Sequence, residues 1–390
     1  MNKITKNYIV IFSILVLVFC IGRCVIAENS NNLKFEKVGN LNIARCRHTA
    51  TLLQDGRVLI IGGRNSALPF NHQTLKSTEI YDPKTKKFTM GPDMLFAREK
   101  PVAVLLNDGR VFIIGGWADD DKPGTVNANG RYIPGPGEAG IRTTEFYDPI
   151  TNKFYQGPEL IIAQNEMING FIPLILDDGK IMLKDVGSHI PSTEIYNPKD
   201  NTFNTVVKDI RWWSGALVNL DNGNVLVISY ERKKTFIFNP KTETYSSGPD
   251  MNYQRRGGIV VKLNDKRVLI CGGQEIDTNN KILNSCEYYN AALNKFIMFD
   301  SNMTKPRMGS DEILLNNGNF LIFGGYNHLR GSQTDIEIFS PKTNTFYKVK
   351  YDTNHYAPTI TQLKDNTVLF AGGRVPPYRH STNKAFVLKY

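Results

Sequence analysis

The chain of 390 residues carries little that points to a membrane, a metal or a nucleic acid. Its longest apolar run, Tyr8–Gly22, is about 15 residues, short of the roughly 20 that cross a bilayer as a helix. There are six histidines and no pair of them at metal-ligand spacing, so no metal is read from the sequence. No nucleic-acid-binding motif occurs. Charged residues are 22% against 41% hydrophobic, which excludes a disordered or collagenous chain. Acids number 37 against 47 bases, leaving a formal charge of +10. Glycine, at 32 residues, and aromatic side chains, at 11%, are plentiful, and together they lean towards an all-β protein with many turns.

The first segment reads as an export signal. Lys3 and Lys6 precede the apolar run, and Val25 and Ala27 suit cleavage after Ala27. An uncleaved anchor is the alternative, and then the only membrane contact. Phe19 and Arg23 precede Cys20 and Cys24, which argues against a lipid-modified cysteine. Removing residues 1–27 takes away Lys3, Lys6 and Arg23 and no acid, so the charge falls to +7. Of five cysteines, Cys46, Cys271 and Cys286 remain. Cys271 and Cys286 fall on successive strands of one hairpin, where either a cross-strand disulfide or two buried thiols would fit.

The remainder is one unit written seven times. Its first half runs Leu52-Leu-Gln-Asp-Gly-Arg-Val-Leu-Ile-Ile-Gly-Gly63 and again Leu105-Leu-Asn-Asp-Gly-Arg-Val-Phe-Ile-Ile-Gly-Gly116. Further copies turn at Asp178-Gly179, Asn222-Gly223, Asp265-Lys266, Asn317-Gly318 and Asp365-Asn366. Asp-Gly and Asn-Gly supply the positive φ of a hairpin turn, and the continuous apolar run after each suits a strand buried on both faces. The second half is Ser77-Thr-Glu-Ile-Tyr-Asp-Pro-Lys-Thr-Lys-Lys-Phe88, repeated over residues 143–154 and 192–203, with further copies ending at Tyr245, Phe296 and Phe346. Asp-Pro opens that turn, since Pro fixes φ and the side chain before it caps free N–H groups. Each unit is therefore four antiparallel strands, here a to d.

The Gly-Gly pair followed by Tyr-Asp-Pro-x-Thr-x-x-aromatic resembles the Kelch family over residues 33–390. The resemblance implies a seven-bladed β-propeller, one repeat per blade; with the export signal, the chain reads as an exported bacterial protein that is periplasmic, cell-surface or secreted. Phe or Tyr stands where Kelch repeats usually have Trp, and Asp185-Val186 and Ser229-Tyr230 replace Gly-Gly, so blades three and four should be less regular. Lys34-Phe35 lies 53 positions before Lys87-Phe88, the same offset that separates the first two Asp-Gly turns. Residues 33–38 should therefore supply strand d of the seventh blade and close the ring into one domain.

The b–c loops and d-to-a crossings share one face, and variable loops on a rigid scaffold are where binding usually resides. Aligning the repeats places Arg45, Arg98, Arg255, Arg307 and His355 at the start of strand a, with Trp212 in repeat four. Arg47, Lys100 and Arg256 lie within two residues of them. A ring of guanidinium groups would hold an acidic ligand, as similar arginines do in Kelch receptors for peptides. The alternative is that these arginines pair with strand carboxylates such as Glu79, Glu145 and Glu194. All six histidines map to the same face. The loop of residues 117–142, with Asp119–Asp121 and Pro134–Glu138, reads as a solvated lid. Lysines such as Lys84, Lys199, Lys241 and Lys342 make the opposite, turn face basic.

The reading is an exported, monomeric, non-enzymatic binding module for a protein or acidic small ligand, with no cofactor, metal or nucleic acid. Some Kelch propellers are enzymes. The resemblance to galactose oxidase relatives would bring a copper bound through a Tyr-His pair, but here His355-Tyr356 runs in the reverse order and the sequence stops at residue 390. These features weigh against an oxidase. A small-molecule enzyme, such as a sugar mutarotase or isomerase, is the alternative.

Overall fold

A computed structural model describes residues 33–390 apart from 69–70, 118–124, 127–131, 134–140, 162–170, 186–192, 207–213, 230–231, 328–330, 352–356 and 376–379. Seven four-stranded antiparallel sheets follow one another along the chain. In each, strand b is sealed. Val58–Ile61, Val111–Ile114 and Val268–Cys271 are at most 1% exposed, because each lies between two strands and between two neighbouring blades. Strands a of successive blades touch one another all the way round, and the seventh returns to the first, so they enclose a central channel. The structure is a seven-bladed β-propeller.

The turns are fixed by local chemistry. The Asp55 carboxylate accepts the Arg57 N–H at 2.9 Å, and Gly56 has φ of 92°, which a side chain would oppose. At the outer hairpin, Asp82 accepts the Lys84 N–H at 2.8 Å. The repeated tyrosine has a partner five residues on: Tyr147, Tyr196 and Tyr289 each donate a 2.9 Å hydrogen bond to Asn152, Asn201 and Asn294. Those asparagines have φ between 46° and 58°, a conformation their short amide tolerates. The aromatic that replaces Trp packs on the same tyrosine, as in Tyr81–Phe88 with ring centres 4.8 Å apart.

Ring closure follows the repeat offset. Lys34–Lys37 pairs antiparallel with Ala385–Lys389, with Phe35 opposite Leu388, and completes blade seven. Blade four carries a register shift between Ser214 and Ala216, while blade three pairs without a break. On the loop face, two-stranded ribbons extend from blades one, two, five, six and seven. The ribbons of blades one and seven meet, Ser66 donating its N–H to Ser381 Oγ at 2.8 Å. Cys271 and Cys286 form a disulfide across strands b and c of blade five, and Cys46 is a buried free thiol.

Candidate functional site in the central channel

The four aligned arginines do not line the channel. Arg45, Arg98, Arg255 and Arg307 are at most 2% exposed. Each reaches outward between strands b and c, donates to the carbonyl of the first glycine of its Gly-Gly pair and meets the glutamate of strand c. Arg255 is typical: Nη1 donates to Gly272 O at 3.0 Å and Ser285 O at 2.6 Å, and Nε to Glu287 at 2.7 Å. Arg45 with Glu79, Arg98 with Glu145 and Arg307 with Glu337 repeat the arrangement. The same carboxylates accept backbone N–H groups of the chain entering strand a, as Glu79 does from Asn42 and Ile43. These arginines are the lock between Gly-Gly and Thr-Glu. The expected ring of ligand-holding guanidinium groups is corrected accordingly, because these side chains are buried and bonded to glycine carbonyls and strand-c glutamates inside the blades. Trp212 and His355 lie outside the described residues, as do Asp119–Asp121, Pro134–Glu138, His189 and His328.

What the channel does present is a pair of acids. The first two positions of strand a are read from its pairing with strand b. Six blades have Thr49, Val102, Ile172, Ala216, Ile259 and Thr359 at the first position, and Ala50, Ala103, Pro173, Leu217, Val260 and Ile360 at the second. Blade six has Asp311 and Glu312. Together with residues of blades seven and one they line a cavity of about 570 Å3 that includes Arg47, His48, Ser310 and Thr359. Both residues are exposed on the channel wall, with the strands a of the neighbouring blades on either side. Desolvation pushes Asp311 up to about 7 and Glu312 up to about 8, the Asp311 charge adding to the second.

His48 faces the same cavity from blade one and is buried. Burial and the nearby Arg45 charge lower its pKa to about 3, so it is neutral. Its Nε2 lies 3.0 Å from Thr359 Oγ1, whose hydroxyl donates to Ala371 O at 3.3 Å. The proton is therefore assigned to Nε2, and the buried Nδ1 is an acceptor with no partner. A second hollow of about 580 Å3 opens on the turn face, but its two acids are matched, Asp221 by Lys262 at 2.9 Å and Lys266 at 3.0 Å and Asp265 by Arg267 at 2.6 Å.

The mouth of the channel on the loop side is built from residues in the left-handed region. Arg47, Lys100 and Ala357 have φ of 55°, 50° and 51°, and Gly257 and Gly309 hold the same place in blades five and six with 65° and 59°. Lys100 N–H donates to Arg47 O at 2.7 Å, and Gly309 N–H to Gly257 O at 2.8 Å, linking neighbouring blades. A side chain here costs about 1–2 kcal/mol over glycine.

With this geometry in place, likeness to known proteins can be stated. The Kelch motif family matches residues 45–95. The chain thus carries a Kelch motif on a seven-bladed β-propeller. Two galactose oxidase sequences from Gibberella zeae are each 38% identical over 89 residues, 22% of this chain. The match spans 13% of those relatives' length. Among solved structures, a fungal alcohol oxidase of the AA5 family, in complex with copper, superposes with a TM-score of 0.67 at 15% identity. That superposition covers 92% of this chain and 76% of the oxidase, and shows the fold. The expectation of a non-enzymatic binding module, with the balance against an enzyme, is corrected here: the similar proteins are enzymes by name.

A copper of the kind the alcohol oxidase holds finds no fit among the described residues of this propeller. No three His, Cys, Asp or Glu side chains among them come together to hold a metal ion. His48 is committed to Thr359, and His380 lies 3.1 Å from Ser66 O.

Proposed function

We propose that this propeller is an enzyme acting on a small sugar-like molecule in the central channel, with Asp311 and Glu312 exchanging protons with it. The observation that carries the reading is the placing of two adjacent acids on a wall where the six other blades have none. Acids that titrate near neutrality can serve at once as donor and acceptor, the requirement of general acid–base catalysis. A hemiacetal sugar shows what the pair can do. The protonated acid gives its proton to the ring oxygen while the ionised one takes the anomeric hydroxyl proton. The ring C–O bond opens to the aldehyde, and closure on the other face reverses both transfers. The two sites end as they began, so no cofactor or oxidant is consumed. Mutarotation or isomerisation is the reaction class, and the galactose in the name of the similar oxidases supports a sugar. Export fits the Cys271–Cys286 disulfide, which oxidising compartments favour.

The test is anomer exchange followed by NMR over a panel of neutral and acidic sugars with the full chain. Wild type should accelerate exchange of at least one sugar, and Asp311→Asn with Glu312→Gln should reduce it at least a hundredfold at unchanged circular dichroism. Hydrogen peroxide from primary alcohols after copper addition, with no anomer exchange, would replace this reading by oxidase chemistry.

A further inference from the structure

At the channel mouth, Arg47, Arg64, Lys100 and Arg374 gather around one acid, Glu99. Glu99 is 3% exposed and is engaged by Arg47 and by Arg64 at 3.5 Å. Lys100 and Arg374 have no carboxylate partner among the described residues, and Arg374 Nε meets only the Cys46 sulfur, at 3.4 Å. Arg64 Nε is buried with no acceptor. Among the described residues, four cations against one carboxylate leave an excess of positive charge at the mouth.

The backbone role of the Arg47 and Lys100 positions does not need a side chain. Gly257 and Gly309 make the same inter-blade bond with the same left-handed φ, so the backbone role of the position is met without any side chain. Where Arg and Lys hold a conformation glycine would adopt freely, the strain is retained for something the side chain does. Arg47 lies at once in this cluster and in the cavity with Asp311 and Glu312.

We infer that Arg47, Lys100 and Arg374 receive the carboxylate or phosphate of an acidic small molecule whose body extends to Asp311 and Glu312. Guanidinium groups grip such anions bidentately, and Lys100 adds a point charge. Calling that molecule the substrate rests on the function proposed above; anion binding is measured separately. Anchoring one end at the mouth would set which hydroxyls reach the two acids, a positioning role for the three cations.

Isothermal titration of the full chain with D-glucuronate, D-glucose 6-phosphate and D-glucose tests this. One or both anions should bind at least tenfold more tightly than glucose, and the charged arm that binds distinguishes carboxylate from phosphate. The variant Arg47→Gly with Lys100→Gly takes the backbone geometry of blades five and six and leaves Arg64 facing Glu99, so it should fold and lose at least tenfold in anion affinity. Arg374→Met gives a second check that leaves the left-handed positions untouched. Asp311→Asn with Glu312→Gln should retain anion binding, so a failed acid pair and a failed anion site give different results. Equal binding of glucose, no binding of either anion, or unchanged affinity in both the glycine and Arg374 variants would overturn the inference.

Discussion

Arg255 Nε lies 2.7 Å from Glu287 Oε1 with both side chains sealed from solvent, and Glu287 also takes the Asn252 N–H at 2.7 Å. Removing one partner of such a pair strands a buried charge, at a cost of about 3–5 kcal/mol. Arg255→Met or Glu287→Met alone should therefore lower the melting temperature by many degrees. The double variant should come out far less destabilised than the sum of the two. Thermal unfolding of the four proteins in a double-mutant cycle checks it, and additive losses would show that the pair has no coupling.

That pairing was half legible in the sequence. Repeats with Arg at the start of strand a carry Glu in strand c. Where the repeat has Trp212 or His355 instead, strand c has Phe236 or Phe386 at the glutamate position. In these six repeats the two letters change together, as expected where a buried charge needs its partner, while repeat three keeps Glu194 without an arginine at the aligned place. The blades, turns and ring closure were legible because each rests on a period or on a turn residue with one conformational meaning. Asp311 and Glu312 were readable too, as acids in a column of Thr, Ala, Val, Ile, Leu and Pro, but only once strand a was aligned residue by residue. The crowd of Arg64, Arg374 and Glu99 was not readable, since it depends on how ribbons and strand starts of different blades meet.

The Cys271–Cys286 disulfide closes a separation of 15 residues. A loop of that size accounts for about 3 kcal/mol in the chain-entropy description. Replacing both by Ala should lower stability by about 2–4 kcal/mol and leave the fold intact. Reagent titration of thiols in denaturant, without reductant, should find the Cys46 thiol as the free one in the chain from residue 28. Three titrating thiols there would refute the bridge.

Asp311 and Glu312 also give the protein a pH signature. Their folded pKa values lie above those of exposed carboxyls, so the native state holds protons that the unfolded state has released. Stability from this source is present at about pH 4 and is lost as pH rises through about 7 and 8. Channel water screens both groups, which keeps the effect to about 1–2 kcal/mol. Asp311→Asn with Glu312→Gln should melt higher than wild type at pH 8.5, with the gap closing towards pH 4. In a pH–rate profile of wild type, the two values belong to the pair and not to either residue.

The left-handed positions at the mouth allow a test in which function and stability move in opposite directions. Lys100 has φ of 50° and exposes its side chain to the channel mouth, while Gly309 at the equivalent place has φ of 59°. Desolvation among the packed cations and the Arg47 charge both lower the Lys100 pKa, so its charged form is held at a cost. Lys100→Gly removes the strained side chain and the repulsion with Arg47 and keeps the N–H bond to Arg47 O. Glycine's greater freedom in the unfolded chain offsets part of the gain, leaving a net change of about 0–1 kcal/mol in favour of the variant. Differential scanning calorimetry should show a melting temperature equal to or above wild type. Lys100→Ala keeps the left-handed strain while removing the charge, and should fall between the two. A loss of stability on changing Lys100 to glycine would mean that the lysine serves the fold, and would take away the reason for assigning it a ligand.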